Sequence, residues 1–129
     1  MRTSNSSAAL RALTWVARGL AVLVFLFWGA FFVEHLNEWF IAPRPRTPPA
    51  SVWIGQFLHL LVLAGLLVAL RWPRLGAALV VGAALAFFPR AGDNYLLFAG
   101  LTSLPALLLL GCWYLRREER PRQMVKGGA

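Results

Sequence analysis

Apolar residues run along this chain in four long blocks, separated by short breaks of polar residues, arginine and proline. The blocks are much longer than the alternating or three-and-four-spaced stripes of a water-soluble core. In hydrocarbon every backbone N–H and C=O must be satisfied within its own segment, so such blocks form helices. A small β-barrel would need short alternating strands with polar lumen positions, and the chain has no such pattern. The predicted fold class is therefore all-α: an integral membrane, four-transmembrane-helix up-down bundle with both termini on the cytoplasmic side, one domain over residues 1–129.

The breaks set the boundaries. Met1 to Ser7 is polar and expected to stand outside the helix, with Ser6 or Ser7 capping a helix from Ala8. Arg11 and Arg18, seven apart, share a face of its entry segment. The first span covers about 19–41, enough to cross a hydrocarbon core of about 30 Å. Pro43, Pro45, Pro48 and Pro49 exclude helix from the loop at 42–51. The second span covers about 52–70. Arg71-Trp72-Pro73-Arg74 is a very tight turn, and Pro73 suits the first position of the next helix, where a missing N–H costs nothing. The third span, about 75–88, ends at Pro89. The fourth covers about 95–115, and a charged cytoplasmic tail, 116–129, is expected to end disordered at Gly127-Gly128-Ala129.

Two features predict packing. The third span carries Gly76, Ala77, Ala78, Gly82, Ala83, Ala84 and Ala86, small residues that allow close approach of helix backbones in lipid. It should lie between the second and fourth spans, with Gly82 at a tight contact. Pro105 should kink the fourth span, with Thr102 and Ser103 satisfying the freed backbone.

Charge fixes the expected orientation. Arg2, Arg11, Arg18, Arg71, Arg74, Arg116, Arg117, Arg120, Arg122 and Lys126 fall on one side, and only Arg44, Arg46 and Arg90 on the other. The excess of Lys and Arg marks the cytoplasmic side. Only 14% of residues are charged, against about 25% in soluble domains, and the net charge of +8 sits in juxtamembrane clusters. Such clusters favour anionic lipid headgroups as partner, not nucleic acid. The first span has a basic start but is too long for a cleaved signal peptide, and Phe31-Phe32-Val33 after Gly29-Ala30 is no cleavage site. Cys112 is single, so it forms no internal disulfide and reads as a small buried hydrophobe.

Candidate chemistry gathers at the extracytoplasmic end: Glu34, His35, Asn37 and Glu38 in the first span, Gln56 and His59 in the second. Ionisable groups within a span are expensive and often mark a site. Three readings compete. A Glu34–His59 or Glu38–His35 hydrogen bond would be a structural clip between or along helices. Glu34, His35, Glu38 and His59 are ligand types for a metal or a proton site. His35 and His59 could in principle hold haem or another cofactor. The repeated Glu-x-x-His of ferritin-like bundles is missing, and Trp28, Trp39, Phe40 and Trp53 nearby read as an interfacial aromatic belt. No Gly-rich phosphate loop, cysteine pair or nucleophile elbow is present. The expectation is no enzyme and no resident cofactor.

His59-Leu60-Leu61, Arg71-Trp72-Pro73-Arg74-Leu75-Gly76, and Ser103-Leu104-Pro105 with Gly111 resemble a family of small, uncharacterised bacterial four-helix membrane proteins. In that family a His opens the second helix, a Trp-basic-Trp-like turn follows it, and a small-residue-Pro pair breaks the fourth helix. Arg71-Trp72 keeps only part of that turn. The resemblance covers the second to fourth spans and implies a fold and no established activity; the expected location is the bacterial cytoplasmic (inner) membrane. More loosely the chain is similar to DoxX-like four-helix membrane proteins, for some of which a quinone-linked redox partner is implied. None of that chemistry maps onto residues here. The function expected is an accessory or structural subunit, or scaffold, that meets other membrane-protein subunits or copies of itself. The alternative is a protein handling a quinone, metal, haem or proton at the Glu/His cluster.

Overall fold

The computed structural model describes residues 2–43 and 46–127. The loop residues Arg44 and Pro45, and Met1, Gly128 and Ala129, lie outside the described residues. Four α-helices make up the fold, and no strand occurs among the described residues: α1 (Arg2–Leu36), α2 (Ala50–Arg71), α3 (Pro73–Phe87) and α4 (Tyr95–Gly127). A single π-helical turn, Asn37–Ile41, extends α1, and a 3-10 turn, Phe88–Ala91, follows α3.

Two ends differ from expectation. α1 begins at Arg2 instead of Ala8, so Ser6 and Ser7 lie within the helix and not at its start. The polar tail after Arg116 stays helical to Gly127. Both segments continue a helix already nucleated by an apolar span, so extension needs no new nucleus; in α4 it runs past Pro121, which contributes no N–H of its own. The breaks at proline are as predicted. Pro49 is extended at the start of α2 (φ −66°, ψ 158°). Trp72 alone separates α2 from α3, with Pro73 opening the latter. The Trp72 N–H donates to the Val68 carbonyl at 2.7 Å, and its own carbonyl accepts from Gly76 at 2.9 Å. Gly92 has φ +101°, a left-handed conformation that suits glycine, and it ends the 3-10 turn before α4.

Helices next to each other in sequence are antiparallel, as are α1 and α4. Gly65 meets Val80 and Gly76 meets Ala69, so numbers rise along α2 as they fall along α3. Thr14 meets Arg116 while Trp28 meets Thr102, the same relation for α1 and α4. Phe88 lies beside Phe98 and Arg74 beside Trp113, the same again for α3 and α4. α1 also packs on α2, while α3 packs on α2 and α4 and stands diagonally across from α1. The small-residue helix therefore takes its expected place between α2 and α4.

The tight contact is not where the sequence put it. Space around Gly82 is open, whereas a Cβ on Gly76 would run into the backbone of Ala69. A Cβ on Gly65 would stand 2.7 Å from Val80 Cγ2 and 2.9 Å from its backbone nitrogen. Gly76, Ala77, Ala83 and Ala84 are buried against the bundle, whereas Ala78, Gly82 and Ala86 lie on the exposed side of α3.

The exterior is unlike that of a soluble protein. Ala17, Ala69, Ala84 and Ala106 are fully buried, while Leu23, Leu26, Phe27 and Val33 are more than half exposed. Burial of large apolar surface from water drives soluble folding. Here the core mixes small residues with Val62, Leu66, Val80 and Phe88, and many other large apolar side chains face outward, as a lipid surrounding allows. Three helical stretches are long and apolar enough to cross a membrane: Ser6–Ile41, Ala50–Arg71 and Tyr95–Glu119. The chain is built as a membrane-embedded protein. Pro105 is fully buried within α4, which continues past it.

Candidate functional site

The six polar residues of the outer end do not form one cluster. His59, on the bundle-facing side of α2, is only 4% exposed. Aromatic rings surround it: Phe87 with its centroid at 5.0 Å, Phe32 at 5.4 Å and Trp28 at 6.0 Å. The backbone of Trp28 hydrogen-bonds the ring, and Nε2 is buried without any partner. A buried, unsatisfied nitrogen of this kind is uncommon and calls for an explanation.

Glu34 does not provide one. It is exposed on the outer face of α1, in a shallow groove it shares with Asn37, Leu26, Gly29, Val33 and, from α2, Leu63. Phe32 lines the same groove and packs its ring against His59, so it stands between the two polar groups. The expected Glu34–His59 clip is not formed. The cause is helical geometry: a residue two positions before Glu34 points about 200° away from it around the helix.

Other members are occupied separately. The Gln56 side-chain N–H donates to the Phe32 carbonyl at 3.1 Å and ties α2 to α1. His35 is exposed, and its Nδ1–H donates to the Phe31 carbonyl of its own helix at 3.0 Å. Glu38 is exposed at the π-turn and engaged by a neighbour. With His35 on the outer surface and His59 inside, the two histidines do not form a facing pair for haem. Among the described residues, no three His, Cys, Asp or Glu side chains converge as metal ligands. Cys112 is buried and free.

The polar contact that does join distant helices was not among the candidates. Trp28 Nε1–H donates to Thr102 Oγ1 at 2.9 Å, joining α1 to α4. Its ring also packs on Phe88 at 5.1 Å. The sequence placed Trp28 in an aromatic belt, but its indole faces the bundle. Only the facing Thr102, expected merely to serve the Pro105 backbone, offered a signal. The Phe40 and Trp53 rings meet edge to face, 4.5 Å apart, joining the π-helical turn to α2. A second tie closes the other end, where Arg116 donates to Thr14 Oγ1 at 3.0 Å and that hydroxyl donates to the Leu10 carbonyl at 2.8 Å.

The Trp28–Thr102 bond is open to a double-mutant cycle on the detergent-solubilised protein. Trp28→Phe, Thr102→Val and the double variant should give a coupling energy of about 0.6–1.7 kcal/mol, the measured span for hydrogen bonds between membrane helices. Strictly additive melting shifts would show that the bond contributes nothing.

No curated protein and no solved structure matches the chain. One family model matches residues 4–121, nearly its whole length, and the chain thereby belongs to the family described as "Domain of unknown function (DUF7670)".

Proposed function

We propose that this chain crosses the bilayer of the bacterial inner membrane four times, with both termini in the cytoplasm, and serves as a non-enzymatic accessory or scaffold subunit of a membrane assembly. α3 has 15 residues, about 22 Å of helix, short of a hydrocarbon core of about 30 Å. The 3-10 turn and the flanking arginines Arg74 and Arg90 lengthen its reach by snorkelling. The antiparallel order groups the N-terminus, the 71–74 turn and the C-terminus at one end, where ten of the thirteen basic residues fall. That grouping supports a cytoplasmic assignment of this end. Reporter fusions at Ala129 and within 72–74 should read cytoplasmic, and one within 44–49 external. An external C-terminus would overturn the topology.

The accessory role rests on one observation, the carboxyl-bearing groove on the outer face of α1. Glu34 and Asn37 stand exposed there among Leu26, Gly29 and Val33. A carboxyl facing hydrocarbon costs several kcal/mol. A second membrane helix with a hydrogen-bond donor would satisfy it, and Gly29 and Ala30 would let that helix approach closely. The occupant is another membrane-protein subunit, with a second copy of this chain as the alternative. A photo-crosslinker at Val33 should capture a membrane protein of one defined mass, one at Leu104 on α4 should not, and Glu34→Leu should weaken the capture. Equal crosslinking from both faces, or none from Val33, would remove the support.

A second reading, ligand handling, is favoured by His59 Nε2 alone. A quinone, metal or haem held there would supply the partner this nitrogen lacks, and a proton taken up there would need an acceptor brought with it.

A further inference from the structure

The cytoplasmic end of the bundle holds an arrangement that neither helix packing nor the outer groove uses. Trp113 of α4 is half-buried, and two guanidinium groups lie over its ring: Arg74, from the start of α3, at 5.5 Å from the centroid, and Arg117, one helical turn further along α4, at 5.4 Å. Both arginines are exposed. Among the described residues neither is paired with a carboxylate, although Glu118 and Glu119 are next in sequence. Two cations on one indole repel each other, and their separation is on the order of the Debye length or less. The ring's quadrupole offsets part of that repulsion, by about 0.5–1 kcal/mol per exposed contact. An anion bridging the two would offset the rest. Each guanidinium can bind a phosphate through two parallel N–H···O bonds, and two arginines from different helices against one ring put two such donors at one seam.

We propose that Arg74, Trp113 and Arg117 form a binding site for the phosphate of an anionic phospholipid. The position suits a lipid and not a free ion. Trp113 and Tyr114, whose rings meet at 4.9 Å, are amphipathic aromatics at the level where a span gives way to charged residues, which is the headgroup depth. Leu75 and Leu115 are each more than half exposed on the adjoining turns of α3 and α4, a surface for the acyl chains below the phosphate. The site gives the small protein a fixed lipid across the α3–α4 seam. It rests on membrane embedding but not on which side is cytoplasmic, so the reporter fusions above test topology independently of it.

Arg18 supplies an internal control. It lies over the Trp15 ring at 5.3 Å, so it has the same charge and the same contact, but it is a single guanidinium on one helix. The test is lipid retention by native mass spectrometry on the full chain in neutral detergent. Phosphatidylglycerol, phosphatidylcholine or inorganic phosphate is added to wild type, R74Q/R117Q and R18Q. Wild type should retain one phosphatidylglycerol in preference to phosphatidylcholine. R74Q/R117Q should retain it about tenfold less, roughly the worth of one charge-assisted hydrogen bond, while R18Q should match wild type. Circular dichroism checks that the double variant keeps its helices. If it does not fold, the lipid comparison on wild type still decides, because equal retention of the two lipids overturns the site. An equal loss in R18Q would mean that net charge alone attracts lipid. Displacement of phosphatidylglycerol by millimolar inorganic phosphate would mean a simple anion site. Either result overturns the proposal.

Discussion

Gly76→Ala should destabilise the protein, against the ordinary rule for glycine within a helix. Replacing an interior glycine by alanine usually stabilises a helix by about 0.8–1 kcal/mol, because the unfolded chain loses freedom. At Gly76 the added Cβ meets the backbone of Ala69, which has no rotamer to yield. α2 and α3 must then move apart along the most extensive helix contact in the bundle. The expected loss is at the upper end of the range of about 1–3 kcal/mol for overpacking. Gly65→Ala meets the Val80 side chain and, at 2.9 Å, its backbone nitrogen and should lose less, since its overlap with backbone is shallower than that of Gly76 with Ala69. Gly82→Ala has open space around it and should hold or gain stability. Thermal melts of the three variants in one detergent test this ranking. A Gly76→Ala protein as stable as wild type would mean that the one-residue turn at Trp72 does not hold α2 and α3 this close.

That ranking marks the limit of what the sequence discloses. The four helices, the proline breaks and the turn at Trp72-Pro73 were all legible, because each follows from local rules: apolar length, missing N–H groups, fixed φ. The place of α3 between α2 and α4 was legible from its alanines and glycines. Which glycine touches a neighbour depends on the rotation of α3 about its axis. Small residues fall nearly all around that helix, so they do not fix the rotation. The polar candidates failed in the same way. Glu34 and His59 share a depth in the membrane but not a face, and depth was all that counting residues from the loop supplied. Trp28 was misplaced because an indole suits both an interface and a buried hydrogen bond. Its partner Thr102 lies 74 positions away, beyond any local pattern.

His59 decides between a buried structural residue and a ligand site, and two substitutions separate them. With no ligand, His59→Leu should melt at or above wild type. The change removes a nitrogen that has no partner, whose burial costs about 1–3 kcal/mol. That outweighs the ring's bond to the Trp28 backbone, worth about 0.5–1.5 kcal/mol, and a side chain of similar size still fills the space among Trp28, Phe32 and Phe87. His59→Ala should be less stable by about 2–4 kcal/mol, because it leaves a cavity that these rings cannot close. Glu34→Gln should be near zero, and its effect should add to either His59 change, since the two groups are not in contact. A ligand site inverts the first result. Protein purified from native membranes would then melt higher than His59→Leu from the same membranes. It would also carry a visible absorption band or a stoichiometric metal that the variant lacks. Melting curves, spectra and metal analysis on wild type, His59→Leu, His59→Ala, Glu34→Gln and Glu34→Gln/His59→Leu complete the test. Coupling above about 0.5 kcal/mol between positions 34 and 59 would restore the clip that the packing of Phe32 rules out. A leucine variant that melts higher and binds nothing would leave His59 as a buried polar residue kept at a cost to stability, and would remove the ligand reading.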